Sequence, residues 1–317
     1  MIVLLPHSLL ANQMYQYAVA KSLSIDKNEE LKIIIPKRIH KAKDSDNKLG
    51  SNLWTAFENI KKSGELVEDN EVDTYLSSAT SIITDNGISY ESCIKNDKNT
   101  FYKGCFLWHP DDFMHNLSEI RRCFSLPEEI KKGSQNKILA IKEKYNNRPI
   151  IATHFRVGWD YFREVRVLSY EYWDKAATQA LKDYSAPPVF ALLYDEKNSY
   201  IKRFERKYDT VDVRDSLFRD LTFISLADGL IVGNSTFGTW GGILNEKEGF
   251  KGYRPSIYPI DRGRCDTNTS FPSEWKTIIA KSNKYSRLFG FFYQNIYQLP
   301  IRHISHIAKK IIRYRNY

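Results

Sequence analysis

The chain has 317 residues, of which 42% are hydrophobic and 27% charged, which is long enough to fill two cores and exceeds what one usually holds. Its net charge of +9 does not make the whole molecule a polyanion binder. Nine Lys or Arg and no acid lie between Trp275 and Tyr317, so the body of the chain is neutral and the basic signal belongs to the tail, which excludes nucleic acid as the main partner.

Taken in order, Ile2–Leu5 reads as a buried strand rather than a secretory leader, whose apolar core would be longer. Asn12 is placed to cap a helix running to about Leu23, with Met14, Tyr17, Ala18 and Leu23 near helical spacing. Leu31–Ile35 reads as a second strand. Residues 37–52 are a lysine-rich polar loop, and periodicity is weak from there to about 145. Pro149 marks a boundary before a strand at 150–153. Ser169 is placed to cap a helix over 170–182, Pro187 and Pro188 lead into a strand at 189–193, residues 199–208 and 220–227 read as helices, and Gly229–Val232 as a strand. Strands alternating with short helices imply a parallel sheet covered on both faces. Cys93, Cys105, Cys123 and Cys265 have neither metal-ligand nor disulfide-framework spacing, which suits a reducing cytosol. No apolar run reaches the roughly 18 residues of a membrane span.

Two segments carry chemistry. Residues 150–161, Ile-Ile-Ala-Thr-His-Phe-Arg-Val-Gly-Trp-Asp-Tyr, put His154, Arg156 and Asp160 at the carboxyl end of a strand, where open α/β sheets bind ligands. Residues 230–242 repeat the pattern, with Asn234, Ser235 and Thr236 at a turn before a helix start. Two such edges facing one cleft can hold a diphosphate between a guanidinium and a helix N-terminus.

These residues resemble the GDP-fucosyltransferase superfamily, and overall the α-1,2-fucosyltransferases of glycosyltransferase family 11. Asn12-Gln13-Met14-Tyr15-Gln16-Tyr17-Ala18 is similar to that family's Asn-Gln-Met-Phe-Gln-Tyr-Ala, Leu168-Ser169-Tyr170-Glu171-Tyr172-Trp173 to its Leu-Ser-x-x-Tyr-Tyr, and Asn234-Ser235-Thr236-Phe237 with Trp240-Gly241-Gly242 to its terminal motif. Two departures stand out. Leu9-Leu10-Ala11 replace a glycine-containing start, and Val157 stands where a second arginine is usual, as in the protein O-fucosyltransferase version of the motif.

The resemblance implies an α/β, GT-B-like fold of two Rossmann-like halves with a cleft between them: residues 1–146 mainly on the acceptor side, 147–284 on the donor side, and 285–317 a basic amphipathic tail. It implies an inverting transfer of L-fucose from GDP-fucose to a hydroxyl of a glycan, of α-1,2 linkage on a bacterial-type surface polysaccharide, with no cofactor and no metal. Arg156 and Asp160 would be catalytic. His154, Arg156, Asp195, Asp220, Asn234, Ser235 and Thr236 would bind the donor, and Asn12 and Gln13 would line the cleft. Ordinary roles stay open for several: Ser235 and Thr236 as helix caps, Asp195 and Glu196 as solvated loop acids, Asp220 as a first-turn acid. Asp44-Ser45-Asp46 matches a metal-binding Asp-x-Asp but reads as a solvated loop. A tail with Ile301, Ile304, Ile307, Ile311 and Ile312 opposite Arg302, Lys309, Lys310 and Arg313 suits an anionic membrane surface, which would place the enzyme at the cytoplasmic face, near a lipid-linked acceptor. The alternatives are a transferase using another GDP-sugar, or an inactive glycan- or nucleotide-binding protein of the same fold.

Overall fold

A computed structural model describes residues 1–36, 52–83, 89–95, 99–103, 109–163, 166–259, 265–266 and 271–285. The Asp44-Ser45-Asp46 loop and most of the basic tail lie outside them. The first sheet contains β1 (Ile2–Leu5), β2 (Leu31–Ile35), β3 (Leu66–Glu68), β4 (Ser81–Ile83) and β5 (Thr100–Lys103), all parallel in the order β3-β2-β1-β5-β4. The second contains β6 (Ile150–Phe155), β7 (Val189–Tyr194), β8 (Thr210–Asp212), β9 (Gly229–Val232), β10 (Lys251–Pro255) and β13 (Lys276–Ile278), also parallel, in the order β13-β10-β9-β6-β7-β8. β11 (Tyr258–Pro259) and β12 (Cys265–Asp266) form a small antiparallel pair.

The helices are α1 (Leu10–Asp26), α2 (Leu53–Ala56), α3 (Glu58–Lys61), α4 (Val72–Ser78), α5 (Tyr90–Lys95) and α6 (Leu117–Cys123). They continue with α7 (Glu128–Lys144), α8 (Trp159–Arg163), α9 (Tyr170–Asp183), α10 (Ser199–Glu205), α11 (Leu217–Leu226) and α12 (Thr236–Ile243). Central strands such as β7, Val-Phe-Ala-Leu-Leu-Tyr, are buried along their whole length because helices cover both faces of a parallel sheet. In β6, Ile151 and Phe155 pack towards α9, while Ile150 and Ala152 join the core that contains Phe223 and Ile224 of α11.

In the second sheet the chain leaves β6 towards β7 and β8, then returns to place β9 on the other side of β6. The ends of β6 and β9 therefore flank a topological switch point, where the connecting loops diverge and leave a crevice.

Three expectations change. The first helix begins at Leu10 with Leu9 at the cap position, so Asn12 sits inside its first turn. Ser169 does occupy the cap position of α9, but its hydroxyl makes no capping bond and is buried without a partner. Helix α7 precedes residue 147 yet covers the second sheet: Ser134 Oγ donates to Arg219 O at 2.9 Å, and Lys137 Nζ to Val213 O at 2.9 Å.

The halves share a core. Trp240 of α12 is fully buried among first-half residues, stacked on Phe113 at 5.6 Å and 10° and lying 5.1 Å from both Tyr15 and Phe124. Its Nε1 donates to Ala11 O at 3.0 Å. Arg121 of α6 reaches back to the carboxyl end of α12, donating to Ile243 O at 2.8 Å and Asn245 O at 2.5 Å, where a cation also complements the helix dipole.

Candidate active site

β6 delivers His154 and Arg156 to the switch point from an apolar strand whose register against β7 and β9 is set by burial of both faces. His154 points towards α12: its ring centroid is 5.6 Å from that of Phe237, and a Cβ on Gly238 would come within 2.7 Å of Nδ1. Glycine at 238 is therefore what lets the helix approach the imidazole. Nδ1 is buried with no partner, and burial pushes the imidazole down to about 4, so the ring is neutral at physiological pH.

Arg156 is partly buried and held by two carboxylates. Nη1 donates to Asp195 Oδ2, and Nη2 to Asp160 Oδ2 at 2.6 Å. The guanidinium also lies 4.2 Å from the centroid of Tyr161, in cation–π contact. Asp195 does more than neutralise charge. Its carboxylate accepts the amides of Val157 at 3.1 Å and Gly158 at 2.9 Å, folding the loop after β6 around itself. A Cβ on Gly158 would meet Asp195 Oδ2 at 2.5 Å, so no larger residue fits under this clamp.

The β9 side is equally built. Ser235 caps α12, accepting from Gly238 N at 3.4 Å, and both Ser235 and Asn234 are buried. Asn234 Nδ2 donates to Arg166 O at 2.6 Å, which pins the segment following α8. Thr236 Oγ1 donates to Asn12 Oδ1 at 3.0 Å, joining the amino ends of α12 and α1. These ends present backbone N–H groups and the positive pole of each helix to the cleft.

The sequence candidates therefore separate. His154, Arg156, Asp160, Asp195, Asn234, Ser235, Thr236 and Asn12 converge on the two strand ends. Gln13 does not line the cleft: it is buried within the first half, donating to Ser8 O at 2.8 Å and accepting from Leu53 N at 2.9 Å. Asn12 and Gln13, with Gln16 on both backbone groups of His7, fold the β1–α1 loop, and only Asn12 reaches across. Ser8, just before the Leu9-Leu10-Ala11 that replace the glycine-containing start, takes the left-handed conformation at φ 74°. Asp220 lies on the first turn of α11 and accepts Asp215 N at 2.8 Å; burial pushes its carboxyl up to about 7.

Sequence reading missed Tyr161 and Arg166. Arg166 lies 5.8 Å from the Tyr161 ring and brings a second guanidinium to this loop although Val157 fills the position of the usual second arginine. The run Arg156-x-x-x-x-Tyr161-x-x-x-x-Arg166 carries no local pattern that signals this. Among the described residues no group of three His, Cys, Asp or Glu comes together as metal ligands would, and no helix is long and apolar enough to cross a membrane. A groove of about 800 Å³, lined by Arg121, Leu126, Thr222 and Leu244, lies at the carboxyl ends of α11 and α12, away from this site.

No protein-family model matches the chain, and no curated protein matches it. Among solved structures, POFUT1 in complex with GDP-fucose is similar at a TM-score of 0.49 and 12% identity, over 79% of this chain and 96% of that one. Fucosyltransferase NodZ from Bradyrhizobium is similar at a TM-score of 0.45 and 14% identity, over 77% and 93%. The likeness is one of overall architecture.

Proposed function

We propose that this chain is an inverting glycosyltransferase that moves L-fucose from GDP-fucose to a glycan hydroxyl. The observation that carries the reading is that the neighbouring strands β6 and β9 lead at one switch point into the Arg156 guanidinium and into the capped amino end of α12. A nucleoside diphosphate is the ligand such a pair fits, and the motifs shared with fucosyltransferases select guanosine and fucose.

In this reading the acceptor oxygen attacks the anomeric carbon from the face opposite the diphosphate. The carbon–oxygen bond to the β-phosphate breaks and its electron pair stays on the phosphate, where Arg156 and the helix end neutralise it in place of a metal. The β-phosphate takes over part of the Arg156 fork from Asp160, which lies 2.6 Å from Nη2, and the freed carboxylate accepts the acceptor's proton. Neutral His154 lies beside the first turn of α12 and offers a hydrogen bond to the donor without adding charge.

The α-1,2 linkage, a surface polysaccharide as acceptor and a peripheral position at the cytoplasmic membrane face, through the basic segment beyond the described residues, belong to the same proposal. Calorimetric titration with GDP, GDP-fucose and UDP-galactose tests it: the two guanine ligands bind and the uridine one does not, and GDP is then released when acceptor is added. Absence of guanine-nucleotide binding overturns it. A binding protein without turnover is the second reading, favoured by the double carboxylate clamp on Arg156; it is chosen if GDP-fucose binds and no acceptor in a glycan panel releases GDP.

A further inference from the structure

Helix α10 follows β7, and its amino end is tied to the site: Asn198 accepts Tyr200 N at 3.0 Å, capping the helix, and its Nδ2 donates to Val157 O at 3.1 Å. Ile201 and Phe204 bury one side of α10 in the core below it. Lys202, Arg203 and Arg206 are exposed on the other side, as helical spacing requires. Tyr200 connects this helix to the segment after β13. Its ring stacks on that of Tyr170 at 5.8 Å and 16°, Arg203 lies 4.0 Å over Tyr170, and the Tyr200 hydroxyl accepts from Asn283 Nδ2. Ser169 N donates to Lys281 O at 2.7 Å and Asn283 N to Val167 O at 2.8 Å, so the segment runs antiparallel to the residues before α9. Ala280 and Ser282 are buried there, which turns Ile279 and Lys281 outward. Ile279 is 70% exposed, and Lys284 and Tyr285, the latter 63% exposed, continue the same edge.

One surface beside the site thus carries five exposed cations, Lys202, Arg203, Arg206, Lys281 and Lys284, none with a carboxylate partner among the described residues. Of the acids nearby, Glu205 is bonded to Lys197 at 2.7 Å and Asp174 to Lys207 at 2.6 Å, and Glu171 has Lys175 one turn further along α9. An anionic phospholipid surface matches both parts of this face: headgroup phosphates meet the cations, and the isoleucine and the tyrosine enter the headgroup boundary. A soluble polyanion would use the cations and leave Ile279 in water. We propose that α10 and residues 279–285 dock the folded body on an anionic membrane. The inference deepens the peripheral position proposed above and rests on that reading; the basic sequence beyond Tyr285 continues from the edge of this face. Because Asn198 joins α10 to the loop that carries Arg156, a docked molecule holds that loop close to the lipid surface.

The test uses the full chain, with co-sedimentation on vesicles of phosphatidylcholine alone or mixed in equal parts with phosphatidylglycerol, beside calorimetry with GDP. Wild type binds the mixed vesicles only, and less tightly as salt rises. A triple variant, Lys202→Gln with Arg203→Gln and Arg206→Gln, binds them roughly 100-fold more weakly. Ile279→Ser with Tyr285→Ser weakens binding about tenfold. GDP affinity and the circular dichroism spectrum are the same in all three proteins. No binding of wild type to the mixed vesicles overturns the docking face, and so does unchanged binding in the triple variant, which leaves the tail as the anchor. Equal weakening of vesicle and soluble polyglutamate binding in the triple variant, with no effect of the Ile279 and Tyr285 changes, also overturns it and assigns the cations to an acidic polymer. A parallel loss of GDP affinity overturns it too, because the cations then belong to the donor site. Vesicle binding that depends on the three cations in a protein that binds no GDP keeps the face and removes the transferase reading instead.

Discussion

Thr236 Oγ1 and Asn12 Oδ1, separated by 224 positions in sequence, are 3.0 Å apart and bring the amino ends of α12 and α1 together. Each residue lies in the first turn of the helix that follows a central strand of its own sheet, so this bond ties the loop after β1 to the loop after β9. Removing either partner leaves the other without its cross-half contact. In a double-mutant cycle with Asn12→Ala and Thr236→Val, the coupling measured by chemical denaturation should be about 1 kcal/mol. A coupling near zero would show that the halves are positioned without it.

Trp240 is the main apolar link between the halves. It is fully buried, and its indole nitrogen is bonded to Ala11 O. Trp240→Ala should therefore cost about 3–5 kcal/mol, through the cavity and the orphaned carbonyl. Unfolding followed by both near- and far-ultraviolet circular dichroism should remain a single shifted transition. Two separated transitions would mean that the halves are independently stable.

Arg156→Lys keeps the charge but cannot hold Asp195, Asp160 and a phosphate oxygen with a planar fork. Steady-state GDP release should fall about 100 to 1,000-fold while the circular dichroism spectrum is unchanged. Turnover like that of wild type in the folded variant would remove Arg156 from the chemistry.

Acid sensitivity should trace to His154. The imidazole is held down to about 4 by burial, whereas in the unfolded chain it titrates near 6.5. Between those values the unfolded state binds a proton that the native state refuses, so stability falls as pH drops from 6.5 towards 4 and levels off below. The loss reaches about 3 kcal/mol at most. His154→Gln lacks this component, so denaturation midpoints of the two proteins should lie close together at pH 7 and separate as pH falls to 4, with wild type the less stable; a separation that does not change with pH would show that the imidazole titrates normally.

Asp220 has the opposite sign. Its carboxyl is pushed up to about 7 by burial, against 3.8 for a free side chain, so the native state holds the extra proton between those values. Stability from this group is present at the acid end and is lost as pH rises through about 7. Asp220→Asn preserves the bond from Asp215 N and should be about 2 kcal/mol more stable than wild type at pH 8, with the gap closing near pH 4. An equal gap at both pH values would show that the group titrates normally.

Period and composition determined much of this protein. The apolar runs at 150–153, 189–193 and 229–232, alternating with short helical segments, read as buried parallel strands, which places His154 and Arg156, and then Asn234, Ser235 and Thr236, at strand ends without any structure. What the tertiary structure alone decided is which of these groups meet. Ligand-like amides and local scaffold look alike in sequence: Asn12 and Gln13 are neighbours, yet one crosses to Thr236 while the other is spent on Ser8 and Leu53. Asp195 reads as a loop acid until β7, paired with β6, brings it under the Val157 and Gly158 amides. The core position of Trp240, the cover that α7 gives the second sheet and the approach of Arg166 to Tyr161 belong to the same class. Helical and strand periodicity report one residue's side of one element, whereas a contact across tens or hundreds of positions depends on strand order and crossovers, which no local window contains.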